Sequence, residues 1–598
     1  CRRVRGRKRR PAGRRGSAAI AACAAPQPSR LTDRSMTRRL SGGPPERGES
    51  GPHGNAPGDA PFEGRVVRGA AVATAGTALS RLTGVLRLGA MAYALGVAES
   101  RLADTYNLAN TTPNIVYELV LGGVLSAVLL RVYVEVRQRE GEEAGWRFIA
   151  RVVNLSTLVL AALTVFGVVL APLILKAYTL SASGADRAAQ RELGTLLLRL
   201  FIPQVLFYGY STITTAVLQA HRRFGVPMFA PVLNNLVVVV ALVAFALTVP
   251  AALRSPADLP LRGRLLLGIG TTAGVAALGL VPWLAMRRVG YRRIRGAGFW
   301  DPSLRRLAVL STYTLGYVAI NQVGLWVTLV LANQVQGGVT AYQTAFVFFQ
   351  LPHGLFTVSI STALTPGLAE RAVAGETQAF GRQLMQGLRA VALVTLPAVA
   401  GYLAIAPAIV RVVLEHGIVT GRSTELVALV LRGFAIGLIF FSSFHLLLRS
   451  FQALGDTRTP MFVNLAAFVV NMALNVALFV LLPEARQKVA GLAVGHAASY
   501  LFAAAALLVI IRRRLGGLDV GPLARTVAKC ALAAAATGAG AWLVAEALAG
   551  AAGTAGLWGQ ALQILGAVTA GLLIYVGAAR ALRVEELGWI KGLLRRAE

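Results

Sequence analysis

The chain contains little charge for its length and almost no cysteine. Of its 598 residues, 15% are charged and 55% are hydrophobic, and the mean hydropathy is +0.60. A soluble protein of this size needs a more highly charged surface, so the composition excludes a soluble globular fold. The three cysteines, Cys1, Cys23 and Cys530, form no CxxC pair. They exclude a disulfide framework and a cysteine metal site, and we expect no cofactor.

Acidic residues are also scarce relative to basic ones. There are 60 Lys and Arg against 27 Asp and Glu, which gives a formal net charge of +33. The basic residues concentrate in residues 1–65 and in short loops between apolar runs. This placement is typical of membrane topology, and it argues against a nucleic-acid partner.

The amino-terminal 65 residues have no hydrophobic period and are rich in Arg, Gly, Pro and Ser. Such a segment cannot bury enough apolar surface to fold, so residues 1–65 are predicted to be a disordered basic tail. The first methionine is Met36, which suggests an over-extended start. The tail also contains no continuous apolar stretch of signal-peptide form.

The rest of the chain is a series of long apolar runs. A membrane-spanning helix needs about 20 apolar residues, and runs of this length without alternation exclude a β-barrel. We therefore predict an all-α integral membrane protein with about fourteen transmembrane helices. The runs fall near residues 69–95, 105–131, 148–174, 194–219, 227–250, 264–286, 307–333, 340–366, 388–410, 426–451, 459–482, 489–511, 523–548 and 557–579.

Arginines mark one side of the membrane. Loops that would share a side with the amino terminus carry many of them, and the opposite loops carry far fewer. The positive-inside rule then places both termini in the cytoplasm. We expect a multi-pass protein of the cytoplasmic membrane. The arginines of the rich loops are Arg131, Arg137, Arg139, Arg147, Arg222, Arg223, Arg287, Arg288, Arg292, Arg293, Arg295, Arg305, Arg306, Arg512, Arg513 and Arg514.

An internal repeat predicts the architecture. Residues 198–229 match residues 431–462 at a constant offset of 233, pairing Arg199 with Arg432 and Pro227 with Pro460. These are the fourth-to-fifth and tenth-to-eleventh runs, so the repeat is six helices long and its two copies run parallel. The predicted lobes are residues 66–300 and 301–515. Residues 516–598 would add two helices and a cytoplasmic tail. Two lobes that rock about a central cleft are the architecture of an alternating-access transporter.

Two arginines lie inside the first run. Arg81 and Arg87 would each cost on the order of 3 kcal/mol in the bilayer unless they face a polar cavity or a partner. Six residues separate them, which places them about 120° and about 9 Å apart on a straight helix. We therefore expect them to line a wide cavity. The alternative is that one of them snorkels to the interface or pairs with a neighbouring helix.

Arg199 and Arg432 lie early in their runs, shallow enough either to snorkel or to contact substrate. Intramembrane acids are scarce, with Glu118 and Glu546 the clearest and Asp104 at the mouth of the second run. A cavity with arginine and almost no carboxylate favours an anion. Phosphate fits because guanidinium donates a planar fork of hydrogen bonds to it.

Prolines interrupt equivalent runs of the two lobes. Pro113 and Asn114 open the second run, and residues 350–354 (QLPHG) are their predicted counterpart. Kinked helices in both lobes would suit a moving gate, although a proline at a helix start is equally ordinary. His353 is a single histidine, and such a residue is more often packed or hydrogen-bonded than involved in proton coupling.

Several motifs together match the pattern of one family. They are residues 80–87 (SRLTGVLR), Asp104, Pro113, Asn114, residues 351–354 and residues 456–460. The pattern resembles the start of the MurJ (MviN) family, the lipid II flippases of the multidrug/oligosaccharidyl-lipid/polysaccharide exporter superfamily, and the resemblance covers about residues 65–580. It implies fourteen helices, a cationic central cavity and a groove beside the last two helices for a prenyl tail. It also implies that Arg81 and Arg87 are substrate-binding residues supported by Asp104 and Asn114.

The sequence departs from the family pattern at two places. Many members have an arginine where this chain has Tyr117, and an Asp-Arg pair where it has Phe346 and Val347. Arg199 and Arg432 are candidates to replace the missing charges. The departures leave a transport function in place but weaken the assignment to one substrate.

We therefore predict a flippase for a polyprenyl-diphosphate-linked cell-wall precursor, lipid II in particular. The transport requires no covalent chemistry, and the sequence does not identify a coupling ion. The expected partners are this lipid-linked glycan, the bilayer and cell-wall synthesis proteins. The alternatives are a flippase for another lipid-linked glycan and a drug or ion antiporter, which usually needs intramembrane carboxylates. A glycosyltransferase would need acidic residues and an aqueous domain, and a non-transporting scaffold is the remaining rival.

Overall fold

A computed structural model of the chain describes residues 60–121, 124–180, 186–291, 298, 302–552 and 556–588. Helices are the only regular structure in these ranges, as the apolar runs predict. The predicted tail lies outside the described residues, except that the first helix begins at Ala60, before the expected boundary at residue 66. The inter-lobe loop around Arg292 lies outside them too.

Eighteen α-helices make up the described chain. Two short 3₁₀ turns, Ala251–Leu253 and Arg287–Val289, and one π-helical turn, His353–Thr357, connect or interrupt them. The α-helices are α1 Ala60–Leu95, α2 Leu102–Leu121, α3 Val124–Glu140, α4 Glu142–Tyr178, α5 Asp186–Phe201, α6 Gln204–Ala220, α7 Gly225–Thr248, α8 Leu261–Met286, α9 Pro302–Ala332, α10 Gly338–Pro352, α11 Val358–Val373, α12 Thr377–Leu414, α13 Gly421–Ala435, α14 Leu438–Ala453, α15 Arg458–Leu481, α16 Ala485–Arg514, α17 Gly521–Ala552 and α18 Leu557–Ala581.

Each of the fourteen predicted runs contains one of these helices or a broken pair of them. In the described part of the chain, eleven helical segments are long and apolar enough to span a membrane, or twelve if α13 and α14, bent by 49°, form one span. An all-helical membrane fold is thereby confirmed, whereas the count of fourteen stays a prediction. We refer to α1–α8 as the first lobe and to α9–α16 as the second lobe.

The repeat recurs in the helix boundaries. α7 and α15 begin 233 residues apart, at Gly225 and Arg458, and end 233 residues apart, at Thr248 and Leu481. Equivalent residues also meet across the lobes, because the Asn107 side chain donates a hydrogen bond to Thr340, again 233 positions away. Such contacts between equivalent positions are expected close to an axis that relates two parallel repeats.

A proline-induced break shapes the α10–α11 span. Pro352 has no N–H group, so the carbonyl of Phe348, four residues earlier, loses its helical partner. The Tyr402 hydroxyl donates a 2.6 Å hydrogen bond to that carbonyl. The π-helical turn follows directly after Pro352. Tyr402 therefore stabilises the break through the group that the proline leaves unpaired.

A hydrogen bond of the same kind, from a tyrosine hydroxyl to a carbonyl that a proline leaves unpaired, attaches the last two helices to the second lobe. Pro397 in α12 leaves the Leu393 carbonyl unpaired, and the Tyr575 hydroxyl of α18 donates to it at 2.7 Å. Close by, the buried Glu586 carboxylate accepts a hydrogen bond from Thr526 of α17 at 2.7 Å and pairs with Arg389 of α12. These polar contacts fix α17 and α18 to α12 in addition to apolar packing.

Candidate functional site

A cavity of about 460 Å³ lies between the first helix and the second lobe. Arg81 of α1 forms part of its wall, and the π-helical turn and residues of α9, α10, α11, α14, α15 and α16 form the rest. No Asp or Glu is among the described residues that line it. Its polar lining consists of Arg81, Asn321, Gln322, Thr328, Gln350, His353, His445, Asn464, Asn471, His496, Ser499, Tyr342 and Tyr500.

Arg81 reaches across the lobes toward the π-helical turn. Its side chain is exposed on α1, and a Cβ atom added to Gly354 would lie 3.1 Å from its Nη2 atom. The guanidinium therefore lies against the backbone of a glycine, where a side chain would crowd it. The structure thus brings together two features that the sequence singled out, the intramembrane Arg81 and residues 351–354.

Several polar groups of the cavity have no partner among the described residues. They are the Nδ2 atoms of Asn464 and Asn471 and the Nε2 atom of His496, all buried. An unpaired buried amide or imidazole costs free energy unless a ligand or water satisfies it. These groups can therefore hydrogen-bond a polar ligand, and the sequence analysis missed all three.

Histidines from three separate elements meet in the same wall. The ring centroids of His353 and His445 lie 5.0 Å apart, and those of His496 and Tyr500 lie 4.8 Å apart. His353 also shares a 3.0 Å hydrogen bond with Ser442. The sequence favoured a packed His353, and it gave no signal for the other two because each is a lone histidine in an apolar helix.

Arg87 and Asn114 lie in a different place. Both face Tyr208 of α6, which interacts with the charge of Arg87 and with the Asn114 side chain. Tyr117 belongs to the same cluster, with its ring centroid 5.1 Å from that of Tyr208 and its hydroxyl 3.0 Å from Thr212. Arg87 and Asn114 thus form a first-lobe polar cluster, and neither is among the residues that line the cavity.

Asp104 joins the lobes instead of lining the cavity. Its fully buried carboxylate accepts hydrogen bonds from the Gly337 N–H group at 2.7 Å, the Thr340 N–H group at 2.9 Å and the Thr340 hydroxyl at 2.8 Å. Three donors at the start of α10 thus compensate one buried charge. In this conformation the side chain has no exposed surface and serves a contact between the lobes, so its supporting role beside the substrate stays a prediction.

Glu99 makes a second connection at the same end of the molecule. It accepts hydrogen bonds from the Thr420 N–H group at 2.8 Å and the Ser423 hydroxyl at 2.7 Å in the second lobe, and from the Val97 N–H group at 2.6 Å. Burial raises the pKa of Glu99, but these hydrogen bonds outweigh burial and hold the pKa below its ordinary value. We call the contacts of residues 97–107 with residues 333–340 and 420–423 the lobe seam, and this end of the bundle the seam face.

Arg432 does not face the cavity either. Its Nε atom donates a 3.0 Å hydrogen bond to the Leu403 carbonyl. That carbonyl lies four residues before Pro407, so it has lost its helical partner, and α12 has non-helical dihedral angles nearby at Ile405. Arg432 therefore stabilises a kink, and the expected substrate contact is absent from this conformation.

Arg199 has a different environment from its repeat partner. It is exposed on α5 and lines a separate pocket with Lys176, Arg191 and Arg264 near the seam face. Of the six predicted site residues, Arg81 is thus the one that lines the central cavity. The proposed compensation of missing cavity charges by Arg199 and Arg432 has no support in these positions.

The later sequence landmarks occupy the opposite end of the bundle from the seam face. Asp456 accepts hydrogen bonds from the N–H groups of Arg458 and Thr459, both at 3.0 Å, and pairs with Arg514 at 2.8 Å. Burial raises the pKa of Asp456, but the bonds from Thr459 and Arg514 outweigh burial and hold the pKa below its ordinary value. Asp456 therefore caps the start of α15 and connects this helix to α16.

The departures from the family pattern become apolar or aromatic contacts. Phe346 lines the cavity, and its ring lies edge-on to His496 with the centroids 5.6 Å apart. Val347 is 39% exposed. Aromatic and imidazole groups thus occupy the wall at the position where many family members have a charged pair.

Two solved structures have a fold similar to that of this chain. The chain superposes on a structure titled "Lipid II flippase MurJ, inward closed conformation" with a TM-score of 0.67 and 19% identity, over 85% of this chain and 99% of that one. An inward-facing multidrug transporter of the MATE family gives a TM-score of 0.60 and 14% identity, over 74% of this chain and 98% of that one. The chain therefore shares the fold of these two structures.

Sequence comparison defines the family. The model of the family described as lipid II flippase MurJ matches residues 91–558. A probable lipid II flippase MurJ of Rhizobium meliloti is 26% identical over 86% of this chain and 94% of its own length. The lipid II flippase MurJ of Burkholderia cenocepacia is 25% identical over 67% and 75%. The chain belongs to the MurJ family of lipid II flippases. The matched range begins after Arg81 and Arg87, so their assignment depends on position in the fold.

Proposed function

We propose that this chain flips lipid II, a polyprenyl-diphosphate-linked precursor, from the inner to the outer leaflet of the cytoplasmic membrane for peptidoglycan synthesis. The observation that carries the proposal is the position of Arg81, whose guanidinium faces an inter-lobe cavity with no carboxylate among its described lining residues. A guanidinium binds a diphosphate through two-pronged hydrogen bonds and keeps its charge when buried.

The remaining lining suits the sugar and peptide parts of such a substrate. The unpaired amide groups of Asn464 and Asn471 and the imidazole of His496 offer hydrogen bonds to hydroxyl and amide groups. Aromatic rings such as Tyr500 and Phe441 give the wall flat apolar faces beside these polar groups. The prenyl chain would stay in the lipid. This mixture of few polar anchors and apolar surface is typical of a ligand cavity.

The closed lobe seam suggests how transport would proceed. Asp104 and Glu99 hold the lobes together at the seam face, so substrate would enter from the opposite face. Opening toward the seam face would require these hydrogen bonds to break while the lobes rock apart. Alternating access of this kind around a fixed site needs no covalent step.

The orientation follows from charge. The face opposite the seam carries Arg222, Arg223, Arg287 and Arg288, so we place it in the cytoplasm together with both termini. Cysteine labelling in intact cells tests this placement. Arg223→Cys should be protected from an impermeant reagent, whereas Arg262→Cys at the seam face should react, and the reverse pattern would overturn the orientation.

Depletion complementation tests the function. Cells depleted of their own lipid II flippase and supplied with this chain should grow and expose lipid II on the outer leaflet. The Arg81→Ala variant should fail at equal membrane abundance, whereas the matched Arg262→Ala variant should complement. Failure of the unmodified chain, at normal abundance, to expose lipid II would contradict the proposed substrate.

A further inference from the structure

A second pocket, of about 520 Å³, lies outside the transport cavity on the first lobe. Three helices form it, α4, α5 and α8, and its charged lining is strongly unbalanced. Four cationic side chains face one carboxylate. The charged residues are Lys176, Arg191, Arg199, Arg264 and Glu192. We call this site the basic pocket.

Two of the four cations are held in fixed positions. Arg264 pairs with Glu192 at 3.0 Å and donates to the Leu259 carbonyl at 2.8 Å. The Arg191 Nε atom donates to the Thr179 hydroxyl at 2.6 Å. These contacts position the two guanidinium groups in the wall and use the single carboxylate.

The other two cations are not committed to the protein. Lys176 and Arg199 are exposed, and neither side chain makes a hydrogen bond or ion pair with another described residue. Like charges gathered in one concavity repel each other unless an anion lies among them. The basic pocket therefore contains two free donors beside two positioned ones.

The internal repeat provides a comparison within the same chain. At the offset of 233, Arg191 corresponds to Thr424, which is uncharged. In α4 and α12 the Ala-Pro pairs 171–172 and 406–407 are 235 residues apart, so Lys176 corresponds to Arg411, which forms an ion pair with Glu415. Arg199 corresponds to Arg432, whose Nε atom donates to a backbone carbonyl. The counterparts of Lys176 and Arg199 in the second lobe are therefore bonded to other protein groups, and the two uncommitted cations are a property of the first lobe.

The basic pocket lies where lipid headgroups would be. Lys176 is close to the end of α4 and Arg264 to the start of α8. Leu173, one turn before Lys176, is 60% exposed, so an apolar surface flanks the charges on the lipid side. Cationic side chains above exposed apolar surface at the end of a span match the chemistry of a lipid with an anionic headgroup.

We propose that the basic pocket binds the phosphate group of a membrane lipid in the leaflet at the seam face. Lys176 and Arg199 would contact the phosphate directly, and Arg191 and Arg264 would shape the site. An anionic phospholipid and a prenyl diphosphate share this chemistry. Binding is a property of the purified chain, so the proposal stands or falls independently of the proposed flipping activity.

The test measures lipid binding to the purified full chain. The protein is delipidated, phosphatidylglycerol or phosphatidylcholine is added, and bound lipid is detected by native mass spectrometry. Lys176→Gln/Arg199→Gln removes two charges without removing a contact seen in the fold. Its matched control is Arg262→Gln/Arg422→Gln, which removes two exposed arginines of the same face outside the pocket. A separate arm uses a prenyl diphosphate in an Arg81→Gln background, so that the central cavity contributes little.

The wild type and the control should retain one phosphatidylglycerol in preference to phosphatidylcholine, and the pocket variant should bind it about 30-fold more weakly. If the pocket changes weaken only the prenyl diphosphate, the ligand is the diphosphate lipid, which also supports the site. Equal affinities of pocket variant and wild type for both anionic lipids would overturn the proposal. An equal loss in the control would overturn it too, because it would indicate general charge attraction.

Discussion

The guanidinium of Arg81 lies against Gly354, so close that an added Cβ atom there would be 3.1 Å from Nη2. The two residues come from different lobes, α1 and the π-helical turn after α10. Their contact places the intramembrane charge at the surface of the second lobe, beside the polar groups of the cavity. Arg81 is therefore positioned to act on a ligand that both lobes contact.

Substitutions of Arg81 should distinguish the contribution of its charge to lipid II binding from that of its guanidinium geometry. Arg81→Ala should weaken lipid II binding about 10- to 100-fold, because charged hydrogen bonds contribute about 1.5 to 3 kcal/mol. Arg81→Lys should recover part of this affinity, since ammonium keeps the charge but loses the fork. Lipid II titration of the purified protein gives the affinities. Unchanged affinity in Arg81→Ala would show that the side chain does not hold the substrate.

Removing the donor at the α12 kink should destabilise the protein without changing its charge pattern at the cavity. Arg432→Met leaves the Leu403 carbonyl unpaired, and we expect a loss of about 1 to 3 kcal/mol in the free energy of unfolding. Arg199→Met is the matched control, since it removes an arginine that makes no bond to a described residue. Unfolding in detergent gives both values, and equal stabilities of the two variants would refute the capping role.

The lobe seam should loosen when Asp104 becomes an amide. In Asp104→Asn, the Nδ2 group cannot accept the hydrogen bond that Gly337 or Thr340 donates, so at least one of three bonds is lost. Spin labels at Arg262→Cys and Arg422→Cys, in a chain without native cysteines, report the separation of the lobes. We expect a larger population of long distances than in the unmodified seam.

Thr340→Ser provides the control, because it keeps the hydroxyl and the N–H donor. Its distance distribution should match that of the wild type. If Asp104→Asn also leaves the distribution unchanged, the buried carboxylate does not hold the lobes together.

The seam should also respond to pH through Glu99. Because the pKa of Glu99 lies below its ordinary value of 4.5, its carboxylate stabilises the closed seam fully above that pH. The contribution is lost as pH falls through the lowered pKa. The difference in label distances between wild type and Glu99→Gln should stay constant from pH 7 to about 4.5 and change below it, where the wild-type distances lengthen. The Glu99→Gln variant should show little change over this acidic range, and an equal response in both proteins would assign the effect to other groups.

Local patterns in the sequence predicted much of the fold. Apolar runs predicted helices, since a bilayer forces each span to satisfy its own backbone hydrogen bonds. The repeat around Arg199 and Arg432 predicted the matching boundaries of α7 and α15. The sequence predicted that Arg81 lines a cavity, because a charge within an apolar run is costly unless it faces polar groups.

Other features depend on contacts between distant parts of the chain. The sequence by itself determined the helical membrane fold, the repeat and the intramembrane Arg81, because these follow from periodicity and charge within one helix. Only the tertiary structure decided that Asp104 joins the lobes, that Arg432 pairs with a carbonyl freed by Pro407, and that His353, His445 and His496 meet. The physical reason is that a polar side chain is satisfied by whichever groups packing brings near it, and one repeat offset gave Arg199 and Arg432 different surroundings.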